Sequence, residues 1–282
     1  MKTPSPATSR HTPVRAVAVL AIVGAAFLLT GCIPSAAPAP TTTDAPPGTA
    51  APTATATASP TANPNGIEKL NGADIIGQSL TNSLETKSVH LTGSYTAPAP
   101  KTAKPATPSP SPGAGTQAVT VDLTGSATTF KATFIIGTST VELRRLDNDV
   151  YMKTNQQAAA QLGEPRLAKG FLKYGPGDAM VKSWLALTDA PTMLKTILQA
   201  NVTGLTYTAG SITTAGNDPA IQVLITENSR LAGTLLVATT GKPFPLKLTM
   251  ADDTGTADFT YANWGLDPAV SAPAVTEMAP AG

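Results

Sequence analysis

The sequence predicts an α+β domain: a strongly curved antiparallel sheet, in effect a half-barrel, with helices packed on its concave face. Three features point there. An amphipathic helical pattern near residue 67 gives way, after Lys87, to a period of two. Alternating strand patterns then fill most of the chain, interrupted by one short helical section. The order of helix, strands, helices, strands is that of one antiparallel sheet with its helices gathered on a single face. So many successive meander strands must twist and curl rather than lie flat.

Residues 1–31 read as a secretory leader. Lys2, Arg10 and Arg15 precede an apolar run from Ala16 to Leu29, which is short for a bilayer span. The run ends in Leu29-Thr30-Gly31-Cys32, which resembles the lipobox of bacterial lipoproteins. That resemblance implies acylation of Cys32, the only cysteine of 282 residues, and so a lipid anchor to the cell membrane on its extracytoplasmic side. A lone cysteine forms no internal disulfide, so an attachment point explains it better than a redox role. Residues 32–65 carry the lipidated cysteine and a Pro/Ala/Thr tether with almost no large apolar side chain, which is expected to stay disordered. As a coil it reaches roughly 30 Å.

The folded domain is expected over 66–275, with 276–282 as a tail. Asn65 and Glu68 stand three apart like a capping box, ahead of Ile67, Leu70, Ile76, Leu80 and Leu84 at helical spacing. In VHLTGSY, Val89, Leu91 and Tyr95 face one way while His90, Thr92 and Ser94 face the other. Residues 97–117 are Pro-rich, too long for a hairpin turn, and are expected to form a disordered insertion. Val119, Val121 and Leu123 resume the alternation, followed by Phe130, Ala132, Phe134 and Ile136, then Val141 and Leu143. Asp147-Asn148 reads as a hairpin turn. Asp178 is placed to start one short helix through Trp184 and Leu187, and Asp189, with Pro191 in the first turn, a second through Leu198. Five strand patterns close the domain, separated by Asn217-Asp218-Pro219, Gly241 and Asp252-Asp253.

The inventory for catalysis is thin. His11 leaves with the leader, and His90 sits on a polar strand face, where a solvated side chain is the ordinary role. One histidine and a lipidated cysteine build no zinc site, and no metal or other cofactor is expected. Asp147 with Asp149, and Asp252 with Asp253, occupy turns that favour Asp for backbone reasons. Gly175-Pro176-Gly177 lacks the frame of a phosphate loop, and Asn201-Val202-Thr203 is a chance-level sequon. Of the 19 basic residues three lie in the leader, so the remainder is slightly acidic against 18 carboxylates, with no patch for nucleic acid. The expectation is a monomeric protein that is not an enzyme.

The lipobox, the tether, the opening helix, VHLTGSY, VELRRLDNDVYMKT and the closing FTYANWG together resemble actinobacterial lipoproteins of the LppX/LprG kind, within the wider LolA/LolB-like carriers. The resemblance implies a LolA-like half-barrel closed by helices over a hydrophobic cavity that holds acyl chains in transit. It makes the inward residues Val121, Leu123, Phe130, Phe134, Ile136, Val141, Leu143, Ile221, Val223, Ile225, Leu235 and Val237 candidates for the cavity wall. The ligand would then be a lipid or an acylated molecule, exchanged with an envelope partner that the sequence does not name. Periodicity alone leaves another reading open: a filled core with no ligand, in a structural or protein-interaction module whose contact surface is the Thr/Ser strand face.

Overall fold

The computed structural model describes residues 63–97, 117–199, 204–252 and 255–281. The leader, Cys32, most of the tether, residues 98–116 of the insertion and the Asn201 sequon lie outside these. One antiparallel sheet of 11 strands dominates: β1 (Val89–Ala97), β2 (Gln117–Gly125), β3 (Thr129–Ile136), β4 (Ser139–Leu146), β5 (Asp149–Thr154), β6 (Leu172–Tyr174), β7 (Leu205–Ala215), β8 (Asp218–Glu227), β9 (Arg230–Ala238), β10 (Pro245–Asp252) and β11 (Gly255–Ala262). Their order is β6-β5-β4-β3-β2-β1-β11-β10-β9-β8-β7, so the sheet is open and two meanders join where β1 pairs with β11. Four α-helices accompany it: α1 (Gly72–Thr86), α2 (Gln156–Leu162), α3 (Ala179–Leu185) and α4 (Ala190–Leu198). α1 lies against β7, β8, β10 and α4.

Alternation holds along the strands. In β3 every second residue from Phe130 to Ile136 is buried, and β4 buries Ser139, Val141 and Leu143 on the same beat. The hairpin at Asp147-Asn148 forms as expected, with Asp147 at φ 52, the left-handed conformation that Asp tolerates in turns. Between β7 and β8 the turn is Gly216-Asn217, one step earlier than expected, because Asp218 and Pro219 already belong to β8.

The opening helix starts later than its pattern implies. Asn65 does not open a long helix: its Oδ1 accepts from the Ile67 N–H (3.1 Å) in a tight turn, while its Nδ2 donates to the carbonyls of Ala238 (3.0 Å) and Gly241 (3.1 Å). Gly66 then turns left-handed, and Ile67–Lys69 form a single 3₁₀ turn. Helix α1 begins after Asn71, whose Oδ1 accepts from the backbone N–H of Asp74 (3.0 Å). Its buried apolar residues are Ile75, Ile76 and Leu80, whereas Leu70 stands 36% exposed before the helix. Gly72 is required where it is. A Cβ there would meet the backbone of Tyr207 at 2.5 Å, so the helix start rests directly on β7.

Asp178 and Asp189 cap α3 and α4 as their positions imply, accepting from Met180 N–H (2.9 Å) and Thr192 N–H (3.1 Å). Helix α2 and strand β6 have no counterpart in the sequence reading. α2 is Ala-rich, capped by Asn155 and buries only Ala158 and Ala159, too little apolar surface for a periodic signal. Residues after β11 pack on the domain. Arg144 donates to both carboxylate oxygens of Glu277 (2.8 and 3.2 Å), and its guanidinium lies 4.7 Å from the centre of the Phe171 ring.

Candidate functional site

Between helices and sheet runs one continuous apolar cluster, from Val150 on β5 to Ile225 on β8. The strand registers resolve it into transverse rows. One row crosses ten strands: Thr154, Val141, Phe134, Val121, Gly93, Phe259, Leu248, Leu235, Val223 and Ala209. Near its centre, on β1, the row has no side chain. A Cβ on Gly93 would lie 2.1 Å from the carbonyl oxygen of Asp258 and 2.8 Å from the Phe259 ring, so the Phe259 side chain leans across the gap.

Beside this gap lies an apolar crevice. Its floor is Leu91, Tyr95, Val119, Val121, Phe134 and Phe259, and its roof is Leu187, in the α3–α4 link, with Met193 of α4. Trp184 of α3 packs on Phe134 with ring centres 5.4 Å apart, and the Tyr207 hydroxyl donates to the Leu198 carbonyl at the end of α4. The roof is thus pinned at two points. The crevice holds about 20 Å³. That is room for about one water, against ~300–1,000 Å³ for pockets that enclose organic ligands.

All twelve residues named as cavity wall are buried in the cluster, none more than 7% exposed. The structure brings two of them, Val121 and Phe134, to the crevice, while the other ten pack elsewhere in the core. Sequence reasoning did not single out Leu91, Tyr95, Val119, Leu187, Met193 or Phe259 for this role. The available signal was Gly93, an inward glycine between inward Leu91 and Tyr95 in the strand VHLTGSYTA.

The opposite face is polar. His90 Nε2 stands 3.0 Å from Asp122 Oδ1, on the outward face of β1 that His90 shares with Thr92 and Ser94. A larger groove of about 280 Å³ crosses this face between Ser211, Thr213, Gln222, Thr234, Leu236, Lys247 and Thr249. Its lining is mostly hydroxyl, amide and ammonium groups, with Leu236 among them, and only Ser211 and Thr213 are exposed rather than half-buried. Among the described residues no three His, Cys, Asp or Glu side chains cluster to hold a metal ion, and no helix is long and apolar enough to cross a membrane. The Tyr261 hydroxyl is buried among apolar neighbours without a partner, and burial raises its pKa well above the usual phenol range.

No family profile matches the chain, and no curated protein does. Among solved structures it is similar to LprF from Mycobacterium bovis, at 12% identity over 75% of this chain and 99% of that one, with a TM-score of 0.40. It is also similar to lipoprotein LppX of Mycobacterium tuberculosis, at 14% identity over 71% and 99% of the two chains, TM-score 0.36. A chain of the Pseudomonas aeruginosa MucA/MucB complex structure matches at 12% identity over 70% of this chain and 58% of that one, TM-score 0.30.

Proposed function

We propose that this protein is an extracytoplasmic lipoprotein, anchored through Cys32, that binds and carries lipid acyl chains between its sheet and its helical roof. The observation that supports this reading is the crevice: wholly apolar walls, a gap at Gly93 in the row that floors it, and a roof made of α4 and the link before it rather than of sheet. At about 20 Å³ the crevice is too small for an acyl chain, so occupancy requires the helical roof to lift. Each apolar Å² that then leaves water on the ligand contributes about 25 cal/mol, and a long acyl chain offers enough area to offset the lost helix contacts. No step of this reading uses a catalytic group.

A second reading is favoured by the same volume. A domain whose interior is already filled has no need of a ligand, and would act through its Thr/Ser face as a structural or interaction module. Native mass spectrometry of the full chain from a lipid-containing host separates the two. The carrier reading expects a co-purifying lipid that leaves on denaturation, and Met193→Lys with Val119→Asp, both half-buried at the crevice, to abolish its retention with the fold kept. A chain that stays empty after incubation with envelope lipids would leave the module. Charging Phe134 and Val223 is the poorer test, because both are fully packed and such a variant would unfold.

A further inference from the structure

The two edges of the sheet are protected differently. At the β6 edge the strand is only three residues long, and Phe171 just before it forms a parallel bridge to Met278. There the Phe171 N–H donates to the Glu277 carbonyl (2.8 Å), and the Ala279 N–H to the Phe171 carbonyl (2.9 Å). The β7 edge lacks both devices. β7 runs for 11 residues, a length of about 37 Å at ~3.4 Å per residue. Among the described residues its one strand neighbour is β8. Its sequence, LTYTAGSITTA, contains no charged residue and no proline, two of the features that ordinarily discourage edge pairing. Its irregularity is a register shift between Ala209 and Ile212, and Ile212 stands 65% exposed.

We infer that β7 is a pairing edge for a second copy of this chain, the two β7 strands running antiparallel about a two-fold axis near Gly210-Ser211. The neutrality of the strand favours a like partner. In such a pair each residue on one side of the axis faces its mirror position in the other copy, so a charged edge would set like charges against each other. Here none meet. The pairing brings Ile212 of one copy opposite Ala209 of the other and removes it from water, while backbone hydrogen bonds supply the ladder. Thr, Tyr and Ile are the residue types that suit such a ladder. One shared strand pair is a modest interface. Holding both copies on one membrane raises their effective concentration, a step that rests on the Cys32 anchor proposed above. The result is a dimer, where the sequence alone suggests a monomer.

The test places a cysteine at Ser211 in the full chain, on vesicles of phosphatidylglycerol and phosphatidylethanolamine, under mild copper–phenanthroline oxidation. Peptide mapping then reads which thiols join. A 211–211 link is expected, reduced at least tenfold when Thr208→Lys and Thr213→Lys set ammonium groups opposite each other. No link is expected from Ala251→Cys, an exposed position on β10 away from the edge. A 211–211 link no stronger than that control overturns the inference, and so does a link that survives the two lysines. A 32–32 link would show Cys32 free and defeat the anchor reading separately, with the 211 peptide still deciding β7.

Discussion

Gly93 carries more of this architecture than any side chain near it. It occupies an inward position on the strand that joins the two meanders, and the backbone of β11 passes too close for a Cβ. Gly93→Ala is therefore expected to cost at least ~2 kcal/mol, since the clash is with main chain and not with a flexible side chain. Urea unfolding measures it, and an unchanged midpoint would show that β1 and β11 separate without penalty. Tyr261 makes the opposite case. Its buried hydroxyl lacks a partner, so Tyr261→Phe removes an unsatisfied group while keeping the ring that stacks on Trp264, 5.9 Å away. The variant is expected to be as stable as the parent or more stable, by about 1 kcal/mol. A loss of stability would reveal a buried water or ligand group held by that oxygen. In the sequence Gly93 stands out as an inward strand glycine, a mark of close backbone approach, whereas Tyr261 reads as an ordinary strand residue. The missing partner has no one-dimensional signature, because it depends on what distant strands and helices present.

Helix α4 is where an element-level argument becomes functional. It is nine residues long, so its own propensity does not hold it, and it depends on its cap, on Pro191 in the first turn and on the burial of Leu194 and Leu198. Asp189→Ala leaves the Thr192 N–H without its acceptor and is expected to cost ~1 kcal/mol. The loss should appear as faster amide exchange over residues 190–198 than over the central strands. If the crevice takes acyl chains by lifting this roof, the same variant should load lipid faster. Unchanged exchange would mean that packing on α1 alone fixes the helix. The caps of α3 and α4 were legible because an N-cap is a local device, complete within four residues. The start of α1 was not, since the chain turns left-handed at Gly66 and Asn71 supplies the cap, while Asn65 is tied to carbonyls more than 170 residues away in sequence. α2 went unread for a third reason. Its two buried alanines need only a shallow fit against β4 and β5, which leaves no stripe to detect.

At the level of the whole molecule, the C-terminal segment acts as a clamp across the outer face. Hydrogen bonds from Arg144, and then from the Ala274 N–H, hold the Glu277 carboxyl below its usual range. A carboxyl whose folded pKa is depressed adds stability above its unfolded value and loses it as pH falls through the folded one. The clamp should therefore be closed at neutral pH and release in acid, below the ordinary 4.5. Following the Ala279 amide resonance from pH 7 to 3 tests this. Arg144→Ala should move the release to higher pH, and coincident profiles for the two proteins would rule out the ion pair as its cause. The pair is solvent-exposed, so its effect should shrink in high salt.

The pattern along the chain was enough to establish the order of most elements, the inward and outward faces of the strands and the caps of the middle helices. Each of these is written in residues that are neighbours or nearly so. The size of the interior was decided only by assembly. The crevice is lined from β1, β2, β3, β11, α4 and the link before it, and its volume is the small remainder after those side chains interlock. Alternation guarantees that Val121 and Phe134 point inward, but not whether Phe259 leans over Gly93 or Met193 comes down from above. A void is a difference between two large packed volumes, and no periodic pattern encodes that difference.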